Sequence, residues 1–372
     1  MMVLYAGFIL FILVLLALDL GVFHRKAHVV SVRETLGWST LWISLGLAFT
    51  IFVYFGYEHH WFGLGTSPDA TSISPAVHEG VTHYNDGGSA AIKYLTGFVV
   101  EKSLAVDNIF VIAMIFSFLR VPAMYQHRVL FWGIVGALLM RGIMIAVGAA
   151  LITKFTWIIY VFGGFLILTG IKMLVVKGGA TDFEKNILVR GVRRLFPVTQ
   201  RFHGQSFFVR AGSSESVAPA TPGAPVEEDS VVANAKRGVL LATPLFLALV
   251  LVEFTDVIFA VDSIPAIFAI TTDAFLVFTS NVFAILGLRS LYFALAGMID
   301  RFKYLQVSLS LVLIVIGVKM MTHGWLKSWL GVHFNFYVLA VVAAIIATGV
   351  VVSLVATRTT EKRADTRFPT QV

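Results

Sequence analysis

Apolar runs of about 20 residues, enough for a helix to cross the hydrocarbon core of a bilayer, recur along almost the whole chain. The pattern predicts nine spans: Val3–Phe23, Trp38–Tyr57, Tyr94–Leu119, Val129–Ile152, Thr156–Val176, Gly238–Ile264, Ala274–Gly297, Leu305–Thr322 and Phe336–Ala356. The third and sixth are the least hydrophobic, because acids interrupt them. In the sixth the acids fall in EFTDVIFAVDSIP, Glu253 to Pro265, which holds Glu253, Asp256 and Asp262. A charged side chain at the centre of a bilayer costs roughly 2.5–3.5 kcal/mol on insertion scales, so three acids in one span need a reason. An echo appears in the third span as EKSLAVDNIF, Glu101 to Phe110.

The polar stretches between spans divide unevenly by charge. With the N-terminus outside, the inward-facing loops and the C-terminal tail hold 20 basic residues and the outward-facing loops hold three, Lys93, Lys154 and Lys327. The positive-inside rule then predicts an N-terminus outside and a C-terminus in the cytoplasm, which nine spans satisfy. The other five basic residues, Lys102, Arg141, Lys172, Arg289 and Lys319, fall within spans. The first run has no basic residue before it and is long enough to remain as a span, so no cleaved leader is expected.

Two connections are long. Residues 58–93 carry Glu58, Asp69, Glu79 and Asp86 with His59, His60, His78 and His83. They could gather cations, but the histidines lack a helical ligand spacing, and a solvated Gly/Ser/Thr loop is the expectation. Residues 177–237 begin with a basic amphipathic segment, EKNILVRGVRRLF, suited to the anionic leaflet. They end in SSESVAPATPGAPVEEDS, which reads as a disordered linker. The expected organisation is two N-terminal spans (residues 1–57), the outer loop (58–93), a three-span set (94–176), the cytoplasmic loop (177–237), a second three-span set (238–322), and a last span with a basic tail (323–372).

Composition agrees with the spans. Hydrophobic residues make up 58% of the chain and charged ones 13%, with mean hydropathy +0.86, against about 25% charged in soluble domains. The net charge of +7 arises in loops, so no nucleic-acid partner is expected. The absence of cysteine excludes disulfides, thiolate ligands and thiol redox chemistry within the chain. Neither a nucleophile–base constellation nor a cofactor motif is present, so no enzyme and no bound cofactor are expected.

The two acid-bearing stretches belong to an internal repeat. AVDN at Ala105–Asn108 matches AVDS at Ala260–Ser263. An acid precedes each Asp by six positions, Glu101 and then Asp256. An intramembrane arginine follows, Arg141 and then Arg289. The third span of each set carries GIKML at Gly170–Leu174 or GVKMM at Gly317–Met321. Each unit has three spans, an odd number, so the second copy runs in the opposite direction. Inverted repeats of this kind build many transporters, with the substrate site near the midplane on discontinuous helices. The predicted fold is therefore an all-α polytopic membrane protein with about nine transmembrane helices and an inverted 3 + 3 repeat.

On a regular helix Glu253 and Asp256 share a face, as do Ser103 and Asp107. Pro265 cannot donate to the carbonyl of Val261, which predicts an irregular helix and a freed carbonyl beside Asp262. Carboxylates, the Asn108 amide, hydroxyls and a carbonyl make an all-oxygen set suited to a hard divalent cation such as Mg2+, Ca2+ or Mn2+. The candidate metal ligands are Asp107, Asp262, Asp256, Glu101, Glu253 and Asn108. Arg141, Arg289 and Lys102 are the candidate charge partners. The symmetry predicts that Asp107 and Asp262 face one another. Desolvation penalises the charged form of such acids, which predicts proton-for-metal exchange.

EKSLAVDNIF, EFTDVIFAVDSIPAIFAIT, SNVFAILGLRSLYF and FFVR at Phe207–Arg210 closely resemble the TerC family of bacterial membrane proteins, in its Alx-like branch. The likeness runs from Asp19 to the eighth span. It departs in the enlarged outer loop and the linker near Pro219–Asp229. The resemblance implies a multi-pass inner-membrane protein of the LysE-like transporter group, linked to manganese export, alkaline-pH induction and, in older naming, tellurite resistance or redox modulation. The family's acidic motif residues match Glu101, Asp107, Glu253, Asp256 and Asp262. The hard-cation chemistry follows from the residues; the choice of Mn2+ comes from the resemblance. Two readings stand: an exporter of Mn2+ from the cytoplasm, and a non-transporting scaffold or stress-response modulator acting through the basic loop.

Overall fold

Helix boundaries fall where the chain supplies caps. Asp86 accepts from the Ser89 amide at 2.6 Å to start one long helix, and Asp273 accepts from Phe275 and Leu276 to start another; Pro244 opens a third at a position where its missing N–H costs nothing. The computed structural model describes residues 2–21, 32–66, 69, 84–155, 157–175, 190–191, 194, 197–212, 229–295, 305–322 and 334–367. In chain order the elements are α1 (Met2–Gly21), α2 (Val32–Glu58), α3 (Gly87–Phe118), α4 (Ala123–Lys154), α5 (Ile158–Val175), β1 (Phe208–Arg210), α6 (Ser230–Asn234), β2 (Leu240–Ala242), α7 (Pro244–Phe268), α8 (Ala274–Ile285), α9 (Leu288–Leu295), α10 (Leu305–Met321) and α11 (Phe334–Arg367). The chain is an all-α polytopic membrane protein.

A helix lies on each of the nine predicted stretches. Among the described residues five helices are long and apolar enough to cross a membrane, and the bent pair α8–α9 makes a sixth. α1 and α10 are shorter, and α3, which carries Lys93, Glu101, Lys102 and Asp107, does not pass that test. Large apolar side chains such as Ile51, Leu139 and Leu168 point outward, as a lipid-facing surface requires. The sixth stretch starts later than predicted: Leu240–Ala242 is strand, and the helix runs from Pro244 to Phe268.

The helix pairs show the inversion directly. α3 packs on α8 as α7 packs on α4, and α5 packs on α10. A Cβ added to Gly170 would meet the Ser310 carbonyl and Ile314, and one added to Gly317 would meet the Gly163 carbonyl and Ile167. Gly163 and Ser310, Ile167 and Ile314, and Gly170 and Gly317 are equivalent positions of the two GxKM spans. The two contacts are therefore images of each other about a two-fold axis between antiparallel α5 and α10.

The irregularity predicted at Pro265 does not end the helix: α7 continues through Pro265 to Phe268, although the proline has no N–H to give the Val261 carbonyl. The discontinuity lies instead between α8 and α9, bent by 40°. Gly287 at the bend has φ +79, and a Cβ there would strike the Trp42 side chain, so both conformation and space call for glycine.

The loop predicted to be solvated is partly a lock. Asp69 is 1% exposed. Its Oδ2 accepts from Lys93 Nζ (3.0 Å), Asn85 Nδ2 (2.9 Å) and Thr271 Oγ1 (2.5 Å), and its Oδ1 from the Thr272 amide (3.1 Å) and hydroxyl (2.9 Å). The carboxylate thereby ties the start of α3 to the end of α7, and beside it Tyr57 donates to Asp273 at 2.8 Å. Glu79, His78 and His83 lie outside the described residues. His59 and His60 bond to backbone carbonyls of their own turn, Phe55 and Leu64.

On the opposite, basic face, β1 and β2 pair antiparallel. Asp229, predicted to end a disordered linker, is buried and accepts from the amides of Gln200, Arg201 and Val231 at 2.8–2.9 Å. Burial pushes the neighbouring His203 imidazole below its usual range, against the opposing pull of Asp229. The remainder of the linker and most of the amphipathic segment fall outside the described residues.

Candidate functional site

α3 and α7, equivalent in the two repeats, run in opposite directions beside α4 and α8. Glu101 on α3 and Asp256 on α7 occupy matching positions, and both reach Arg141 on α4. Arg141 presents Nε and Nη2 as a fork to Asp256 (3.2 Å to Oδ2, 2.9 Å to Oδ1). Its Nη1 pairs with Glu101 and donates to Asn281 Oδ1 at 3.2 Å and Ser263 Oγ at 3.4 Å. Asn108 Nδ2 donates to Asp256 Oδ1 at 3.3 Å. Glu101, Asn108, Arg141, Ser263 and Asn281 are buried, while Asp256 keeps some exposure.

The donor and acceptor accounts do not balance. Glu101 Oε2 and Asn108 Oδ1 are buried oxygens with no hydrogen-bond partner among the described residues. Native structures leave few such atoms, and each calls for an explanation such as an ion or water. Here they belong to a carboxylate and an amide, both hard oxygen donors. Among the described residues no three His, Cys, Asp or Glu side chains converge as a preformed cation cage.

The other candidates are dispersed. Glu253, one turn before Asp256, packs its carboxylate against Gly136 on α4, where a Cβ would collide with it. Asp262 accepts from Thr169 Oγ1 on α5 at 3.3 Å and lies in the field of Lys172. Asp107 is half-buried on α3. The pair that converges across the repeats is thus Glu101 and Asp256, each six residues before the aspartate that the symmetry singled out. Lys102 serves no acid in these contacts: its Nζ donates to the Ala284 and Leu286 carbonyls at 3.0 and 3.1 Å, satisfying groups that the α8–α9 break exposes. Arg289 is buried and lines a small cavity together with Trp38, Trp42 and Ser290.

Asn281 and Ser263 were not singled out by the sequence, although an amide in the apolar run AFLVFTSNVFAI is the kind of signal that could have revealed Asn281. The Asp69 network gave no such sign, because its partners Asn85, Thr271 and Thr272 are ordinary loop residues.

The comparisons with known proteins agree with this architecture. Residues 86–362 match the model of the integral membrane protein TerC family, a stretch that contains both repeats. A protein of Myxococcus xanthus named "Uncharacterized membrane protein STKORF319" is 46% identical over 355 residues, 95% of this chain and 93% of its own. Proteins of Salmonella typhi and Escherichia coli K12 carry the provisional name membrane-bound redox modulator Alx. The first is 41% identical, with 86% of this chain and 85% of its own aligned; the second is 40% identical, with 90% and 92%. No solved structure matches the chain. With both repeats inside the family match and relatives aligned over nearly their full length, the chain belongs to the TerC family of integral membrane proteins.

Proposed function

We propose that this chain is a secondary transporter that exports a hard divalent cation, Mn2+, from the cytoplasm. The observation that carries the reading is the pair of buried, unpartnered oxygens, Glu101 Oε2 and Asn108 Oδ1, beside Asp256 where the inverted repeats meet. Inverted repeats with ionisable groups at their interface are the general plan of secondary transporters, and an all-oxygen donor set suits Mn2+ as cargo. Glu101, Asp256 and Asn108 would contact the ion first. Glu253, Asp107 and Asp262 would line its path, each of these three taking up a proton as the ion leaves. In this reading the bacterial inner membrane holds the protein with its basic face in the cytoplasm.

The test is 54Mn flux from liposomes containing the purified protein, with Asp256→Asn, Asp107→Ala and Asp262→Ala alongside. Wild type is expected to move the ion, Asp256→Asn to slow flux at least about tenfold through loss of a ligand charge, and the two path variants to slow it less. A wild-type protein that moves no metal sinks the reading.

The relatives' name, redox modulator, favours a second reading, a non-transporting membrane modulator. With no cysteine in the chain, such a role would have to work through metal supply or partner binding rather than a thiol couple.

A further inference from the structure

We propose that Arg141 is a tethered counter-cation: its guanidinium holds the place of the transported dication in the empty carrier and retreats to Ser263 and Asn281 when a dication arrives. This rests on the transport reading and adds the means by which the empty site is stabilised.

The geometry supplies three arguments. First, the guanidinium already does to the acids what a bound cation would do. It bridges Glu101 of one repeat and Asp256 of the other, from a side chain 3% exposed. Two carboxylates and one guanidinium leave a single net negative charge. A dication added to that set would sit within a few ångströms of a like charge at low dielectric, so the two cations exclude each other. Second, there is a place to go. Nη1 already lies 3.2 Å from Asn281 Oδ1 and 3.4 Å from Ser263 Oγ, neutral acceptors that remain when the carboxylates are claimed. Third, the occupancy is incomplete. The guanidinium fork satisfies Asp256, yet Glu101 Oε2 and Asn108 Oδ1 stay unpartnered, as expected where a planar group stands in for a spherical ion with more coordination positions.

The consequence is a division of labour that kinetics can read. Exchange of one dication for another never requires the empty carrier to reorient, whereas net efflux does. An empty site without Arg141 carries two uncompensated acids, Glu101 buried and Asp256 largely so, a state that resists reorientation. The arginine is therefore a positioning residue for the return step and a competitor in the loading step.

The experiment compares two modes in liposomes with the full chain: net 54Mn efflux into metal-free medium, and 54Mn exchange against unlabelled Mn2+ across the membrane. Arg141→Gln is expected to slow net efflux about tenfold or more, leave exchange within about threefold of wild type, and tighten half-saturating Mn2+ about tenfold, because the competitor has gone. Arg141→Lys keeps the charge but loses the fork and is expected to lie between. If Arg141→Gln fails to run as a monodisperse peak, Arg141→Lys carries the test, with net efflux slowed more than exchange. Equal loss of both modes in a folded variant, or unchanged net efflux with unchanged half-saturation, overturns the proposal and leaves the transport reading intact. A wild type inactive in both modes overturns that reading and the proposal with it.

Discussion

At Asp69 both carboxylate oxygens are fully engaged, by a lysine, an asparagine, two hydroxyls and an amide. At Glu101 and Asn108, also buried and also beside a cation, one oxygen of each has no partner among the described residues. Both clusters join the first repeat to the second. They differ in what remains to be satisfied. A closed network gains nothing from a further ligand and serves to hold an end of the bundle together. An open one keeps a capacity that only an added ion or water can fill. Burial and charge alone would have ranked the two clusters equally; the count of unfilled acceptors separates them.

The sharpest way to break this comparison is Asp69→Ala. It takes from Lys93, whose side chain is 0% exposed, its carboxylate counter-charge and leaves it the Asn85 amide oxygen; breaking a buried pair is expected to cost about 3–5 kcal/mol, read as a lower unfolding midpoint in detergent. If the protein stays as stable as wild type, the network is not a lock. Glu101→Gln removes the same kind of charge from the other cluster. Arg141 keeps its fork on Asp256, so the stability loss should be smaller than for Asp69→Ala while 54Mn flux falls at least about tenfold. The reverse ranking would erase the distinction. Asn108→Ala sharpens it further. The variant forfeits one hydrogen bond, worth about 1 kcal/mol, and should weaken half-saturation by Mn2+ several times more than it affects unfolding.

The small module on the basic face is the control. His203 binds its proton less readily in the folded chain than in the unfolded one, where the ordinary value is 6.5. Below about pH 6.5 the unfolded chain takes up the proton first, so the module loses stability as pH falls. Amide protection factors in residues 197–212, corrected for the intrinsic pH dependence of exchange, should fall at pH 5.5 relative to 7.5. His203→Gln should remove that dependence without moving either membrane cluster.

Long apolar runs declare helices wherever they occur, because the bilayer admits little else, and the nine stretches were visible for that reason. The repeat was visible because its landmarks are unusual residues in apolar surroundings: Glu101 with Asp107, Asp256 with Asp262, and the Gly-x-Lys-Met pairs. Which acids meet was not. That depends on the rotation of four helices about their axes, and it favoured Glu101 and Asp256 over Asp107 and Asp262. Pro265 predicted an irregular helix, yet α7 runs through it to Phe268, because packing holds the helix where the local rule only counts a missing N–H. Gly287, the true break, has nothing in its neighbourhood to separate it from other glycines until Trp42 is seen beside it. Asp69 read as a solvated loop residue because two of the partners that bury it, Thr271 and Thr272, come from a segment some 200 positions away in the chain.

The glycine seam between α5 and α10 carries a historical consequence. Gly170 against Ser310 and Gly317 against Gly163 is a surface meeting its own image, the arrangement of an isologous dimer. A single three-helix unit inserted into the membrane in both orientations would present this face to a second copy of itself. Fusion through residues 177–237 would then freeze one pairing and free the copies to diverge, as Asn108 and Ser263, Glu101 and Asp256 have done. Both copies keep glycine at the closest approach, Gly170 and Gly317, because a side chain added at either would push the two backbones apart.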